Sequence, residues 1–252
     1  MALQIIEGTT AAKTVVFLPG YLLTTKQWSK LALSRAPWRS ILIDLPDHGM
    51  HKEVVLKEQS MRAYAHFICE QLKNENIGRY SLVGHSMGGY VGLEMLKLDK
   101  KLDKLILLHS NIWEDSPERK KNRERVVAIV KRNKALFLRE TLPLLFKNKS
   151  KHQDSISDIV KEASSMTADG IAYGALSMKN RTNQFDLVQK NAARCFFIQG
   201  SHDALIPADE AKDIWAKFAK DDHFFLIPDC GHMSHIERPR TLRKVLEALV
   251  DL

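Results

Sequence analysis

Apolar residues recur along the first 110 positions in two alternating rhythms. Short, nearly continuous apolar runs end on turn residues: TVVFLP (Thr14 to Pro19), SILIDLP (Ser40 to Pro46), SLVGHS (Ser81 to Ser86) and KLILLHS (Lys104 to Ser110). Runs of this kind predict strands buried on both faces, as in a parallel sheet. Between them the period lengthens to that of a helix. SMRAYAHFICEQLKNENI sets Ala63, Phe67, Ile68 and Leu72 on one face behind Ser60 as N-cap, and YVGLEMLKL continues from the glycines after Ser86. Strands separated by helices predict right-handed crossovers and an α/β fold with a mostly parallel, doubly wound sheet.

From Asn111 to Asn183 the strand rhythm stops. ERVVAIVKRNKALFLRETLPLLF, DSISDIVKEASSM and GIAYGALSM are helical patterns, with Pro143 expected to kink or end the first. The alternation resumes with RCFFIQGSHD, a helix from Ala208 to Ala219, HFFLIPDCGH and a closing helix from Pro239 to Leu249. The expected organisation is a core of residues 1–110 and 184–252, interrupted by an all-helical cap of residues 111–183.

Charge sharpens this division. The 252 residues carry a net +8, yet 16 basic and 10 acidic residues fall between Asn111 and Lys190, so most of the excess lies in the helical segment. That segment has no zinc-finger spacing and no aromatics interleaved for base stacking, so nucleic acid is not an expected partner. Three cysteines (Cys69, Cys195, Cys230) make neither a disulfide framework nor a zinc pattern, and suggest a reducing, cytoplasmic setting. Packing is the role expected of Cys230. No apolar run approaches the roughly 20 residues of a membrane span, and the N-terminus lacks the pattern of a signal peptide.

In an open parallel sheet, ligands bind beyond the carboxyl ends of the strands. The polar residues expected there are Tyr21 after Gly20, Asp44, His48, Ser86, Asn111, Asp203 and His232. A serine, an aspartate and a histidine thus arrive in the chain order of a hydrolase triad. Ser86 stands in GHSMGG between a strand and a helix, with Gly84 and Gly88 relieving the crowding of a sharp turn. A serine hydroxyl needs a base to become a nucleophile. His232, in PDCGHMSHIERP, is the expected base, with His235 as its rival. Asp203, in QGSHDALIP, would orient the imidazole, ahead of Asp115 and Asp209. The oxyanion donors expected are the backbone amides of Met87, directly after the nucleophile, and Tyr21. Nothing in the pattern implies a cofactor or a metal.

These motifs (FLPGY, DLPDHG, GHSMGG, GSHD and GHMSHIERP) resemble those of the α/β-hydrolase superfamily, in particular its small esterase-like members with a helical cap. The resemblance spans essentially the whole chain. It departs from the usual pattern in two places: Pro19-Gly20 stands where many relatives have His-Gly, and Asp47 replaces a glycine in DLPxHG. A serine at the elbow argues against dehalogenase or epoxide hydrolase chemistry, which in relatives uses aspartate.

The resemblance implies hydrolysis of a small to medium acyl ester through an acyl-enzyme. The alternatives are carbon–carbon or thioester cleavage or a lyase reaction on the same triad, and, in another class, a non-catalytic ligand-binding protein. The expected partner is a small-molecule ester. Phe137, Leu138, Phe146, Met166, Tyr173 and Met178 are candidates to line its acyl pocket. Arg119, Arg123 and Arg125, near the cap start, read as solvated surface, with contact to an acidic substrate group as the other assignment.

Overall fold

The computed structural model describes residues 3–10, 12–217 and 221–251. The chain runs β1 (Gln4–Ile6), β2 (Thr14–Leu18), β3 (Arg39–Leu42), α1 (Met61–Asn74), β4 (Tyr80–His85), α2 (Met87–Leu98) and β5 (Leu102–Leu108). Four helices follow: α3 (Pro117–Thr141), α4 (Gln153–Ala163), α5 (Ala168–Lys179) and α6 (Phe185–Lys190). Then come β6 (Cys195–Gly200), α7 (Ala208–Trp215), β7 (Phe224–Ile227), α8 (Ser234–Glu237) and α9 (Pro239–Asp251). The expected end of the α7 helix at Ala219 lies outside the described residues.

Seven strands form one sheet in the order β1-β3-β2-β4-β5-β6-β7. Every pairing is parallel except that of β1, which adds an antiparallel edge to β3. The apolar runs feed both faces by strict alternation. Val16, Leu18, Leu82, Leu105, Leu107 and Phe197 enter the layer beneath α1 and α2. Val15, Phe17, Val83, Ile106, Leu108 and Ile198 enter the opposite layer with Trp28, Trp38 and the α9 leucines. An α/β sheet sandwiched in this way needs no polar face, which is why its strands read as unbroken apolar runs.

The helices between β5 and β6 build a separate core of their own. Phe137, Leu138, Phe146, Ile159, Met166 and Ile171 pack there with Leu22, Leu23, Met233 and Ile236 from the loops at the carboxyl ends of the strands. The insertion is therefore seated on those loops by apolar contact. α6, by contrast, buries Val188 in the sheet's own layer. Helix α3 ends at Thr141, and Pro143 lies in the 3-10 turn that follows. The helix also breaks at Asn133 (φ −155°, ψ 78°), where the side-chain Oδ1 accepts from the amide of Leu136 at 3.0 Å. Asn133 thus caps a restarted helix, and the bend follows from that cap.

Candidate active site

Ser86 follows β4 directly and precedes α2, and it adopts φ 50°, ψ −114°, a strained conformation for a residue with a side chain. Two glycines make the turn possible. A Cβ on Gly84 would lie 2.5 Å from the carbonyl oxygen of Gly88, and one on Gly88 would lie 2.6 Å from that of Leu18. The backbone is pinned as well, since the Ser86 amide donates to the Leu108 carbonyl at 2.9 Å. Ser86 makes no side-chain cap to its helix, so the hydroxyl is not occupied as an N-cap would be.

Asp203 and His232 lie beyond the ends of β6 and β7. His232 Nδ1 sits 2.7 Å from Asp203 Oδ2, which leaves Nε2 on the far side of the ring outside that bond. Asp203 is pinned through both oxygens. Oδ1 accepts from the amides of Leu205 and Ile206, at 2.9 and 3.1 Å. Oδ2 accepts from Gln199 Nε2 at 2.8 Å as well as from His232. Burial alone would raise this carboxyl. The charge of His232 and the hydrogen bonds from the two histidines it faces outweigh that and hold it far below the usual range.

The second of those histidines is His109, which sequence reasoning did not single out. It ends β5 at φ 48°, with Nδ1 3.0 Å from Asp203 Oδ2 and Nε2 2.7 Å from the hydroxyl of Ser234. An ionised carboxylate only accepts, so Nδ1 carries the proton and Nε2 accepts from Ser234. The only signal was a histidine closing the run KLILLHS, where Asn111 drew attention instead. His235, the rival base, bonds to neither Asp203 nor Ser86 among the described residues; its ring packs on Trp28 and His85 at centroid distances of 5.1 and 4.7 Å. His85 in turn donates to the carbonyl of His232 at 3.0 Å and so braces the His232 backbone from behind. Burial drives His85, His109 and His235 below the ordinary histidine range, so all three are neutral.

The His232 loop is tied to the helical insertion. The His232 amide donates to the Leu145 carbonyl at 2.8 Å. The Glu237 carboxylate accepts from the amides of Gly231 and Lys147, at 2.9 and 3.1 Å, which gives the glutamate of GHMSHIERP its role. Cys230, beside this loop, is fully buried and its thiol is pushed up by burial, in keeping with packing.

Met87 is the first residue of α2, so its amide has no partner within the helix and points with the positive end of the helix dipole. On the other side, the loop after β2 is held by DLPDHG. His48 Nε2 accepts from the Leu22 amide at 3.2 Å, while Nδ1–H donates to the Pro46 carbonyl at 2.8 Å. Burial lowers His48 to about 4, against the opposing pull of Pro46 and Asp44. Asp44 fastens the same loops, accepting from the amides of Thr25 and Met50 at 2.6 and 2.9 Å. With Leu22 taken by His48, the Tyr21 amide donates to no group among the described residues. Asp47, the departure from the usual motif, packs against Gly170 of α5, and burial raises it to about 6.

Ser86 and His232 border one cavity of about 390 Å³, which Gly20, Tyr21, Leu22, Tyr90, Met178 and residues of α3 also line. Among the expected pocket residues, Phe137 and Met178 face it. Phe146, Met166 and Leu138 lie in the insertion's own core, and Tyr173 packs at the edge of the sheet layer with its hydroxyl on the Glu58 carbonyl. Arg119 and Arg123 border the cavity and Arg125 does not. Asp115 is engaged by Arg123 and Arg181, away from His232, and Asp209 stands in the first turn of α7. Among the described residues, one group could present three ligand atoms to a metal: His109, Asp203 and His232, within 4.8 Å of one another. Those atoms already satisfy each other by hydrogen bonds.

Residues 13–239 match the family described as alpha/beta hydrolase fold. The chain belongs to the α/β-hydrolase family. An esterase from Thermogutta terrifontis, solved in a malate-bound form, superposes with a TM-score of 0.87 at 26% identity, covering 99% of this chain and 92% of that one. An Exiguobacterium antarcticum esterase shares the fold at a TM-score of 0.84 and 16% identity, over 99% and 95% of the two chains. By sequence, the chain is 24% identical to a 2-succinyl-6-hydroxy-2,4-cyclohexadiene-1-carboxylate synthase of an Enterobacter species, over 99% of this chain and 98% of the relative. No helix among the described residues is long and apolar enough to cross a membrane.

Proposed function

We propose that the protein is a serine hydrolase that cleaves small to medium carboxylic esters. Ser86 attacks the ester carbonyl as His232 takes its proton, and Asp203 holds the imidazole and offsets the charge it gains. The amides of Met87 and Tyr21 receive the oxyanion. His232 then returns the proton to the departing alcohol, and water completes the cycle by the same route. The observation that carries this reading is a serine on a strained elbow sharing one cavity with a histidine 2.7 Å from a pinned aspartate. The esterase relatives support it.

The synthase relatives, whose names are not those of esterases, support a second reading, in which the same triad serves a lyase reaction, an elimination in place of ester hydrolysis. Three measurements decide between these readings and a non-catalytic one. Turnover of p-nitrophenyl acetate and butyrate, labelling of Ser86 by a fluorophosphonate, and loss of both in Ser86→Ala are the expected results. Labelling without ester turnover would favour the elimination reading. No labelling of the folded protein would overturn catalysis by Ser86.

A further inference from the structure

The face of α3 that meets the cavity is cationic where it starts. Arg119, Asn122, Arg123 and Val126, spaced three and four apart, share one side of the helix and all border the cavity. Among the described residues, no aspartate or glutamate lines it. One buried carboxylate lies behind, Asp115, and two guanidiniums divide it: Arg123 Nε at 3.1 Å from Oδ2 and Arg181 at 2.9 Å from Oδ1. Arg123 is thus held by its Nε, with its terminal nitrogens unused by that bond. Arg119 donates to the Leu205 carbonyl, a neutral partner, and no ion pair of its guanidinium is formed among the described residues, although Glu114, Asp115 and Glu210 border the neighbouring pocket that it also lines. Glu124, next to Arg123 on α3, pairs with Lys179 at 2.6 Å. The charge of Arg123 also reaches the Tyr21 phenol, next to the oxyanion loop. The rest of the lining is largely apolar: Val126, Phe137, Leu142, Leu145, Met178 and Ile206.

We propose that Arg119 and Arg123 form an anion subsite in the Ser86 cavity, and that the substrate is an ester carrying a carboxylate at the end of a short apolar chain. This rests on the ester-hydrolase reading above. Two arginines in a partly desolvated, mostly apolar cavity attract an anion more strongly than they would in water, and the guanidinium fork fits a carboxylate with two hydrogen bonds. The carboxylate anchors one end of the molecule while the apolar lining receives the chain, which sets the ester carbonyl before Ser86.

The test compares methyl hexanoate with monomethyl adipate, which differ by a terminal methyl against a carboxylate, with methanol release as the readout. The intact protein should turn over the adipate ester with at least a tenfold higher kcat/KM, the gain residing in KM and shrinking as salt is raised. That ratio should collapse towards one in Arg119→Gln and in Arg119→Gln/Arg123→Gln. It should persist in Arg132→Gln, an exposed charge on the same helix. A second measurement does not need turnover: adipate should bind the Ser86→Ala protein by calorimetry, and the Arg119→Gln exchange should abolish that binding. Hydrolysis of methyl hexanoate with no preference for the adipate ester, or a preference that survives both arginine exchanges, would overturn the subsite and leave ester hydrolysis standing. Adipate binding without hydrolysis of either ester would leave the subsite standing and remove the ester reading.

Discussion

Replacing His48 with leucine removes the acceptor that holds the loop after β2, while keeping the site apolar and filled. The Leu22 amide, 3.2 Å from His48 Nε2, is then buried without a partner, at a cost of about 1–3 kcal/mol. Loosening the proposed Tyr21 oxyanion donor costs less than deleting one, for which losses of about 10²–10³ in kcat are typical. A fall in kcat of roughly 10–100-fold, with a smaller change in KM, is the expected outcome on p-nitrophenyl acetate. The same residue couples stability to pH. The fold keeps His48 neutral by lowering it from 6.5 to about 4. An unfolded chain takes up a proton below 6.5 that the folded chain refuses. Its contribution is therefore complete above pH 6.5 and lost as the pH falls through 4, a swing of about 3 kcal/mol. Urea unfolding at pH 7 and pH 4.5 should show the wild-type protein losing more stability than His48→Leu over that interval. A folded variant with unchanged kcat, or parallel losses of stability in the two proteins, would refute the clamp.

Asp203→Asn should lower kcat by about 10⁴-fold with KM little changed, and should slow fluorophosphonate labelling of Ser86 in step. Asp47, raised to about 6 by burial, is favoured in its protonated form; its penalty is absent below pH 3.8 and grows as the pH rises through 6. Asp47→Asn should therefore stabilise the protein by about 1 kcal/mol at pH 8 and by nothing measurable near pH 4, as read from thermal unfolding. Asn133→Ala removes the cap inside α3 and should cost about 1 kcal/mol, with the Tm down by roughly 2–4 °C.

The parallel strands were legible because a two-sided sheet writes itself as unbroken apolar runs. Strand β1 was not: three residues, Gln4–Ile6, mostly exposed on an edge, carry no such signal. The elbow could be read because its residues form one short pattern between a strand and a helix, even though Gly88 is demanded by the distant carbonyl of Leu18 and only Gly84 by a neighbour in sequence. Likewise, Asp203 and His232 are marked by standing at strand ends. His109 reaches Asp203 across 94 positions, and no local pattern announces that contact. The pocket wall was legible only in part, since Phe137 and Phe146 have the same helical apolar context and are separated by the end of α3 at Thr141 and the turn at Pro143.

Asp203 Oδ2 feeds two serine–histidine arms. One runs through His232 towards Ser86; the other runs through His109 to the hydroxyl of Ser234, in steps of 3.0 and 2.7 Å. The second arm has the wiring of a triad, yet His109 and Ser234 are 0% exposed and border no part of the Ser86 cavity. A three-residue template laid on this chain would therefore find two hydrolase centres where electrophiles can approach one. In Ser86→Ala the inner arm remains intact, which makes that variant a direct trial of whether wiring alone can make a serine react. Under the proposed mechanism, the difference between a nucleophile and a strut is depth.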